Sequence, residues 1–417
     1  MLLFSKLNKK MEPRNHSKNE ASLNKLVAFF IAICISVNLW GQEYININGN
    51  ISQGYDKIDG SAALALTENG KFAYSYKNND KWYFNINGNI SQGYDEYYYG
   101  SCPFYWMKLM KSGKYAYYYV SNNKKNYVNI NGNISQGYDE IGALILTESN
   151  KFAYAYKDND KWYININGNI SQGYDDFSRF QLILTESGKF AYAYKNNGKN
   201  YVNINGNISQ GYMLRLTESD KFAYVYEDNG KTYVNINGNI NQGYDKVERL
   251  ELTKNGKYAF IYRRDGKFYL TINGSEGISI FNGSENIEIR KFGLTENGKY
   301  AICYKAKGCR DKCYYVNING DIRNFSYICD FIITESGKYA YCYNDEGKRY
   351  FNINGNITQG YDDDKGLKLT ENGNYAYVYK TDNKWCVNIN GNISQAYRDI
   401  WSLTLAENGK FAFIFRK

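Results

Sequence analysis

LTENGKFAYSYKNNDKWYFNINGNISQGYD, residues 66–95, is the stretch that decides the fold, because the chain repeats it with edits from residue 43 to residue 417. Within it the run FAYSY sets Phe72, Tyr74 and Tyr76 against Ala73 and Ser75, the period-two pattern of a strand. Such a strand has a bulky face and a small face. Aromatics of one sheet can then fill hollows over the small residues of the next, each buried ring contributing about 1.5–3 kcal/mol. Residues 82–87 alternate again, and Asn87 with Gly88 supplies two residues that tolerate positive φ, as a type I′ hairpin turn requires. Residues 90–94 complete that hairpin; residues 62–66 form a further strand, joined to the FAYSY strand through the turn at Glu68, Asn69 and Gly70. One unit is therefore four short antiparallel strands: A (ending at Leu66), B (FAYSY), C (WYFNIN) and D (ISQGY). That is a propeller blade, with no room for the crossover helices of helical repeat arrays.

The turn glycine recurs at Gly49, Gly88, Gly132, Gly168, Gly206, Gly238, Gly274, Gly320, Gly355 and Gly391. Residues 43–56 hold only strands C and D, and residues 399–417 only A and B. The two ends are halves of one blade. An open array needs polar caps, whereas Phe411, Phe413 and Phe415 are as apolar as any internal strand. The expectation is an all-β propeller of ten four-stranded blades, closed by pairing of the terminal half-repeats; two five-bladed rings or a non-closing spiral are the alternatives.

Residues 1–41 differ from the rest. Lys6, Lys9, Lys10, Arg14, Lys18 and Lys25 precede the apolar run 26–37, and the small Gly41 offers a cleavage point. They read as a signal peptide, followed by one repeat domain over residues 42–417 with no membrane span after cleavage. An uncleaved anchor is the alternative, although the run is short for a spanning helix. Loss of the leader reduces the formal charge of +9 to a small excess. What remains is a mixed solvated surface, with no basic stripe for nucleic acid.

The stretch TENGK (67–71) before the FAYSY strand resembles the Ser-Pro-Asp-Gly-Lys turn of TolB-type, WD-like bacterial β-propellers, in every unit and without the proline. The NINGNISQGYD half is similar to bacterial WG repeats. Both resemblances imply exported or scaffold-type binding roles, and neither carries catalytic residues.

The A–B and C–D turns fall on one rim and hardly vary; the D–A connections, on the other rim, vary in length and content, and variation on a rigid frame is where binding usually lives. The longest insert carries Tyr97, Tyr98, Tyr99, Tyr105 and Trp106. Its aromatics suit a sugar or protein partner, or else plug a wide channel. Arg179, Arg215, Arg249, Arg290 and Arg398 recur at or just before strand A and could ring the channel mouth as an anion site, or face solvent separately; Trp401 shares this rim. A second divergent sector, residues 275–342, gathers Cys303, Cys309, Cys313, Cys329 and Cys342. Cys309 and Cys313 flank a hairpin loop and read as a disulfide in an exported chain. Cys303 and Cys342 take the place of Ser75 and read as small core residues.

The single histidine, His16, lies in the leader, so histidine-dependent catalysis and metal binding are not expected beyond it. Asp56, Asp95, Asp139, Asp175, Asp245 and Asp362 end strand D, and a residue repeated so often reads as a strand terminator before it reads as a glycosidase acid. The expectation is an exported scaffold, periplasmic or at the cell surface, that binds a protein or cell-envelope component. It has no cofactor, metal or catalytic residue. A lectin-like glycan binder is the second reading, and a carboxylate-dependent glycan-cleaving enzyme the third.

Overall fold

The computed structural model describes residues 42–59, 64–95, 104–121, 123–275, 277–280, 287–306 and 313–417. Their strands form ten antiparallel sheets, each with the spatial order A-B-C-D. Blades 1 to 9 follow in chain order: residues 57–90, 104–134, 140–170, 176–210, 212–240, 246–279, 287–325, 327–357 and 363–393. Blade 10 joins both ends of the chain. There Tyr44–Ile47 runs beside Phe411–Arg416, with Tyr44 opposite Phe415 and Ile45 opposite Ile414. The ring closes as the half-repeats require.

Each A strand touches the next all the way round, from Ala65–Leu66 in blade 1 to Asp399–Leu405 in blade 10 and back to blade 1. The A strands are therefore innermost. With sheets about 10 Å apart, ten blades put them on a circle roughly 30 Å across. Among the described residues no helix is long and apolar enough to cross a membrane.

The alternation in strand B buries both faces. In blade 3, Ala153 and Ala155 are fully buried and Tyr154 and Tyr156 are 5% exposed. In most blades the tyrosine that ends the D segment docks on the following blade: Tyr138 stacks on Tyr156 at 4.0 Å and shares a 3.2 Å hydrogen bond with the Tyr154 hydroxyl. The C–D turns are left-handed at both central residues, from Asn48 and Gly49 (φ 52° and 91°) to Asn390 and Gly391 (52° and 90°). That is the I′ conformation the Asn-Gly pair was read to specify.

Strand D is shorter than the sequence indicates. In blade 1 the ladder covers Asn89–Ile90 and resumes only at a Tyr94–Trp82 bridge. The reason lies in the serine: Ser91 Oγ accepts the Phe84 N–H at 2.9 Å, so a side chain replaces a ladder carbonyl and the backbone leaves the sheet. Ser52, Ser135, Ser171 and Ser394 repeat the bond. One isoleucine per blade, from Ile51 to Ile393, is left 46 to 63% exposed on this outer edge.

Candidate functional site

The feature that positions functional side chains is a shared interruption of the A strands. Blades 2 to 10 all slip register against strand B in the same stretch of strand A, opposite Tyr156 and Ala155 in blade 3 and one residue along, opposite Ile414 and Phe413, in blade 10, and in blade 1 strand A comprises two pieces, Lys57–Ile58 and Ala65–Leu66. A bulge frees its residue from the pleat and re-aims the side chain. Residues on either side remain core: Val247 and Leu250, Ile328 and Phe331, and Ile400 and Leu403 are all buried. At the interruption itself stand Trp106, Gly142, Met213, Glu248, Arg290, Cys329, Lys365 and Ser402. Chemistry varies from blade to blade there while the surrounding frame stays nearly constant.

Trp106 belongs to the innermost strand of blade 2, Phe104–Leu109, and not to a loop. It sits at φ +42° and is 37% exposed. Tyr97, Tyr98 and Tyr99 lie outside the described residues, as do the side chains of Tyr105 and Arg179, whose backbones run in A strands. The remaining arginines occupy four different positions. Arg215 reaches across to Glu251 of blade 6 at 3.3 Å. Arg249 donates to the Ile289 carbonyl of blade 7 at 2.6 Å. Arg290 is a bulge residue beside Glu288 at 3.1 Å. Arg398 takes the place that Asp362 has in the preceding unit and is exposed. The first two tie neighbouring blades together, so these side chains do not converge on one point. Trp401 packs against the Ile45, Tyr74 and Ile414 cluster, with the Arg416 guanidinium 5.2 Å from its ring.

One predicted arginine and the cysteine-rich sector do meet. Between blades 7 and 8 lies a cavity of about 360 Å³, lined by Arg290 and Lys291 on one side and by Tyr327, Cys329 and Asp330 on the other, with Tyr314 and Cys303 behind. Tyr314 and Tyr327 meet edge to face at 5.2 Å, and Tyr327 is 45% exposed. Burial pushes the Cys303 thiol up to about 12 although Arg290 and Lys291 pull the other way, so it is a protonated, unreactive wall at neutral pH. The lining thus combines aromatic edges, two cations and one carboxylate. Sequence reasoning missed Tyr314 and Tyr327; the signal was the loss of the SQGYD ending just before Tyr327.

Cys313 is disulfide-bonded, and its partner lies outside the described residues, as does Cys309. Cys303, Cys329, Cys342 and Cys386 are free thiols.

The repeated carboxylates fasten blades. Asp175 Oδ1 takes Lys161 of blade 3 at 2.6 Å, and its Oδ2 accepts the Asn197 N–H of blade 4 at 2.7 Å. The lysine first, and then that backbone N–H, hold the carboxyl below its ordinary range. On the opposite rim six turn glutamates each accept two backbone N–H groups from the preceding blade, as Glu371 does from Glu335 at 2.7 Å and Ser336 at 2.9 Å. Glu148, Glu186, Glu218, Glu296 and Glu407 make the same clasp. At the seam Asn408 bonds the Glu68 carbonyl at 2.7 Å. The glutamates read as solvated surface charge are thus inter-blade fasteners.

The architecture defines the chain as a ten-bladed β-propeller closed through its termini. No family model and no curated protein matches it. Among solved structures it is similar to a eukaryotic initiation factor at 9% identity, covering 90% of this chain and 99% of that one with a TM-score of 0.46. It is similar to PorZ, a bacterial surface component of the type-IX secretion system of Porphyromonas gingivalis, at 9% identity over 90% of this chain and 72% of that one, TM-score 0.31. A streptogramin B lyase matches at 14% identity over 67% and 99%, TM-score 0.30. These likenesses concern the propeller fold alone and carry no argument about activity.

Proposed function

We propose that the chain is an exported, non-enzymatic scaffold that binds a protein or cell-envelope partner at the inner strands, centred on the cavity between blades 7 and 8. The observation that carries this reading is the change of residue type from blade to blade at the interruption of strand A, with the cavity opening at two of those positions, Arg290 and Cys329. Support for a non-catalytic role comes from the strand-ending aspartates, which are held on lysines and turn N–H groups. The charge pattern favours a partner segment carrying an aromatic or acidic group: Tyr327 and Tyr314 offer edges, and Arg290 and Lys291 offer cations.

The test is capture of a partner from detergent-solubilised cell envelope by the tagged full chain, followed by binding measurements with the purified partner. Tyr327→Ala and Arg290→Ala should each weaken that complex at least about tenfold, the range of a modest hot spot, while the outer-edge change Ile357→Ser should leave it intact. Equal affinity across all three variants would remove the cavity from the reading. Binding on a glycan array that Trp106→Ala abolishes would replace it with a lectin, and turnover of any glycan would replace it with an enzyme. Recovery of a product that begins near Gln42 from the periplasm or cell surface would establish export.

A further inference from the structure

Three departures from the repeat meet at one point between blades 8 and 9. Asp364 pairs with Tyr379 at the A-strand position that Ile58, Ile141, Val247, Ile289, Ile328 and Ile400 fill in other blades. Cys342 stands in strand B of blade 8 where Ala155 and Ile261 stand in blades 3 and 6, and is fully buried. Cys329 is the bulge residue against it. The two Sγ atoms and an Asp364 carboxylate oxygen all lie within 4.8 Å of one another. A carboxylate in an apolar seat is costly unless paired. Arg349 Nε, 3.3 Å from Asp364 Oδ1, supplies one partner. Both thiols also hydrogen-bond that carboxylate, so the three groups converge on one point.

We propose that Cys329, Cys342 and Asp364 bind a divalent cation of the zinc class through two thiolates and one carboxylate oxygen. Thiolate donors select zinc over magnesium or calcium, and binding releases the two thiol protons to solvent. Three negative ligands are then balanced by the ion and the Arg349 guanidinium together. Zinc–sulfur bonds of about 2.3 Å in a tetrahedron place ligand atoms about 3.5–3.8 Å apart, so side-chain rotations of about 1 Å close the site. The fourth position falls to water, with entry from the side of Cys329, which is half-buried and lines the neighbouring cavity.

The test is titration of the reduced, metal-free full chain with cobalt(II). The expected result is one cobalt per chain, a thiolate-to-cobalt charge-transfer band with tetrahedral ligand-field bands, and displacement by zinc. Changes outside the ligand shell already cost 10- to 100-fold in affinity, so Cys342→Ser and Asp364→Asn should each cost about 100-fold or more, whereas Cys303→Ser and Cys386→Ser should cost nothing. Cys329→Ser, at the half-buried bulge, serves as the ligand variant where Cys342→Ser fails to fold. Absence of the charge-transfer band in the unaltered chain overturns the proposal, as does its survival in Cys329→Ser with unchanged affinity. A Cys329–Cys342 disulfide found by mass spectrometry in the chain purified from its native compartment overturns it as well.

Discussion

Glu43 and Arg416 lie 373 positions apart in sequence and share one hydrogen bond of 2.6 Å, from Arg416 Nη2 to Glu43 Oε1. The other carboxylate oxygen accepts the Ile58 N–H, also at 2.6 Å. Glu43 thereby joins the last strand of the chain to the first blade. Its side chain is 4% exposed and that of Arg416 is 44%. A double-mutant cycle with Glu43→Gln and Arg416→Met measures this closure directly. Hydrogen bonds to charged groups contribute about 1.5–3 kcal/mol; partial solvent screening of the arginine places the coupling near the lower end, about 1.5 kcal/mol. Arg416→Met alone should cost more, about 3 kcal/mol, because it strands a buried carboxylate. Glu43→Gln should cost less, since the amide oxygen still accepts from Ile58. The assay is urea unfolding of the four proteins at pH 7, with equal m-values as the condition for comparing free energies. A coupling below about 0.3 kcal/mol is what independent, distant sites give, and it would refute a direct Glu43–Arg416 contact.

Joining Lys417 to Glu43 through an Asn-Gly turn and opening the chain between Asn79 and Asp80 should give a folded permutant, because Tyr44 and Phe415 already pair as hairpin neighbours; circular dichroism melts of permutant and parent should agree within a few degrees. Burial raises the pKa of Glu148, Glu186 and Glu371, but backbone N–H bonds from the preceding blade outweigh it and leave each below the ordinary 4.5. Depressed carboxyls stabilise fully above the unfolded value and lose that contribution as pH falls through the folded one. The melting temperature should therefore drop below about pH 4.5, and the triple glutamine variant should start lower at pH 7 and show a flatter acid limb. Gly142→Ala would bring a methyl within 2.7 Å of the Trp162 ring and 3.1 Å of Phe177; denaturant unfolding should show a loss of about 1–3 kcal/mol from overpacking.

Alternation in FAYSY, the Asn-Gly pairs and the two terminal half-repeats made the blade, its hairpins and ring closure legible, because each is encoded by neighbours in the chain or by counting. The bulges were not legible. A register slip depends on which B residue an A residue faces, and nothing within strand A marks Arg290 or Cys329 as the point of slippage. The same limit hid the glutamate clasp, since Glu371 finds its donors in Glu335 and Ser336, a full repeat away. It also hid the end of strand D, where the SQG run looked extended and Ser91 in fact caps the Phe84 N–H. Arg290 and the cysteine sector were visible as departures from a pattern. Tyr314 and Tyr327 became site residues only through the packing of two blades.

These fasteners explain why the inner strand can carry diverse side chains. A blade gains most of its stabilisation from strands B and C, whose residues are buried on both faces, and its position from the carboxylate clasps on the two rims. The A strand contributes its flanking apolar residues to the core, such as Ile328 and Phe331, and is already interrupted between them. A substitution at Arg290, Lys365 or Ser402 consequently meets little packing resistance, whereas the same change two residues away would open or overfill the inter-blade core. The eight such residues named above, on a circle roughly 30 Å across, differ as widely as Trp106, Arg290 and Ser402, while Gly142 is restricted by Trp162 and Phe177 packed against it. The inner edge is thus where the frame tolerates most difference, whereas on the Asn-Gly rim most turn glutamates are committed to holding a neighbouring blade.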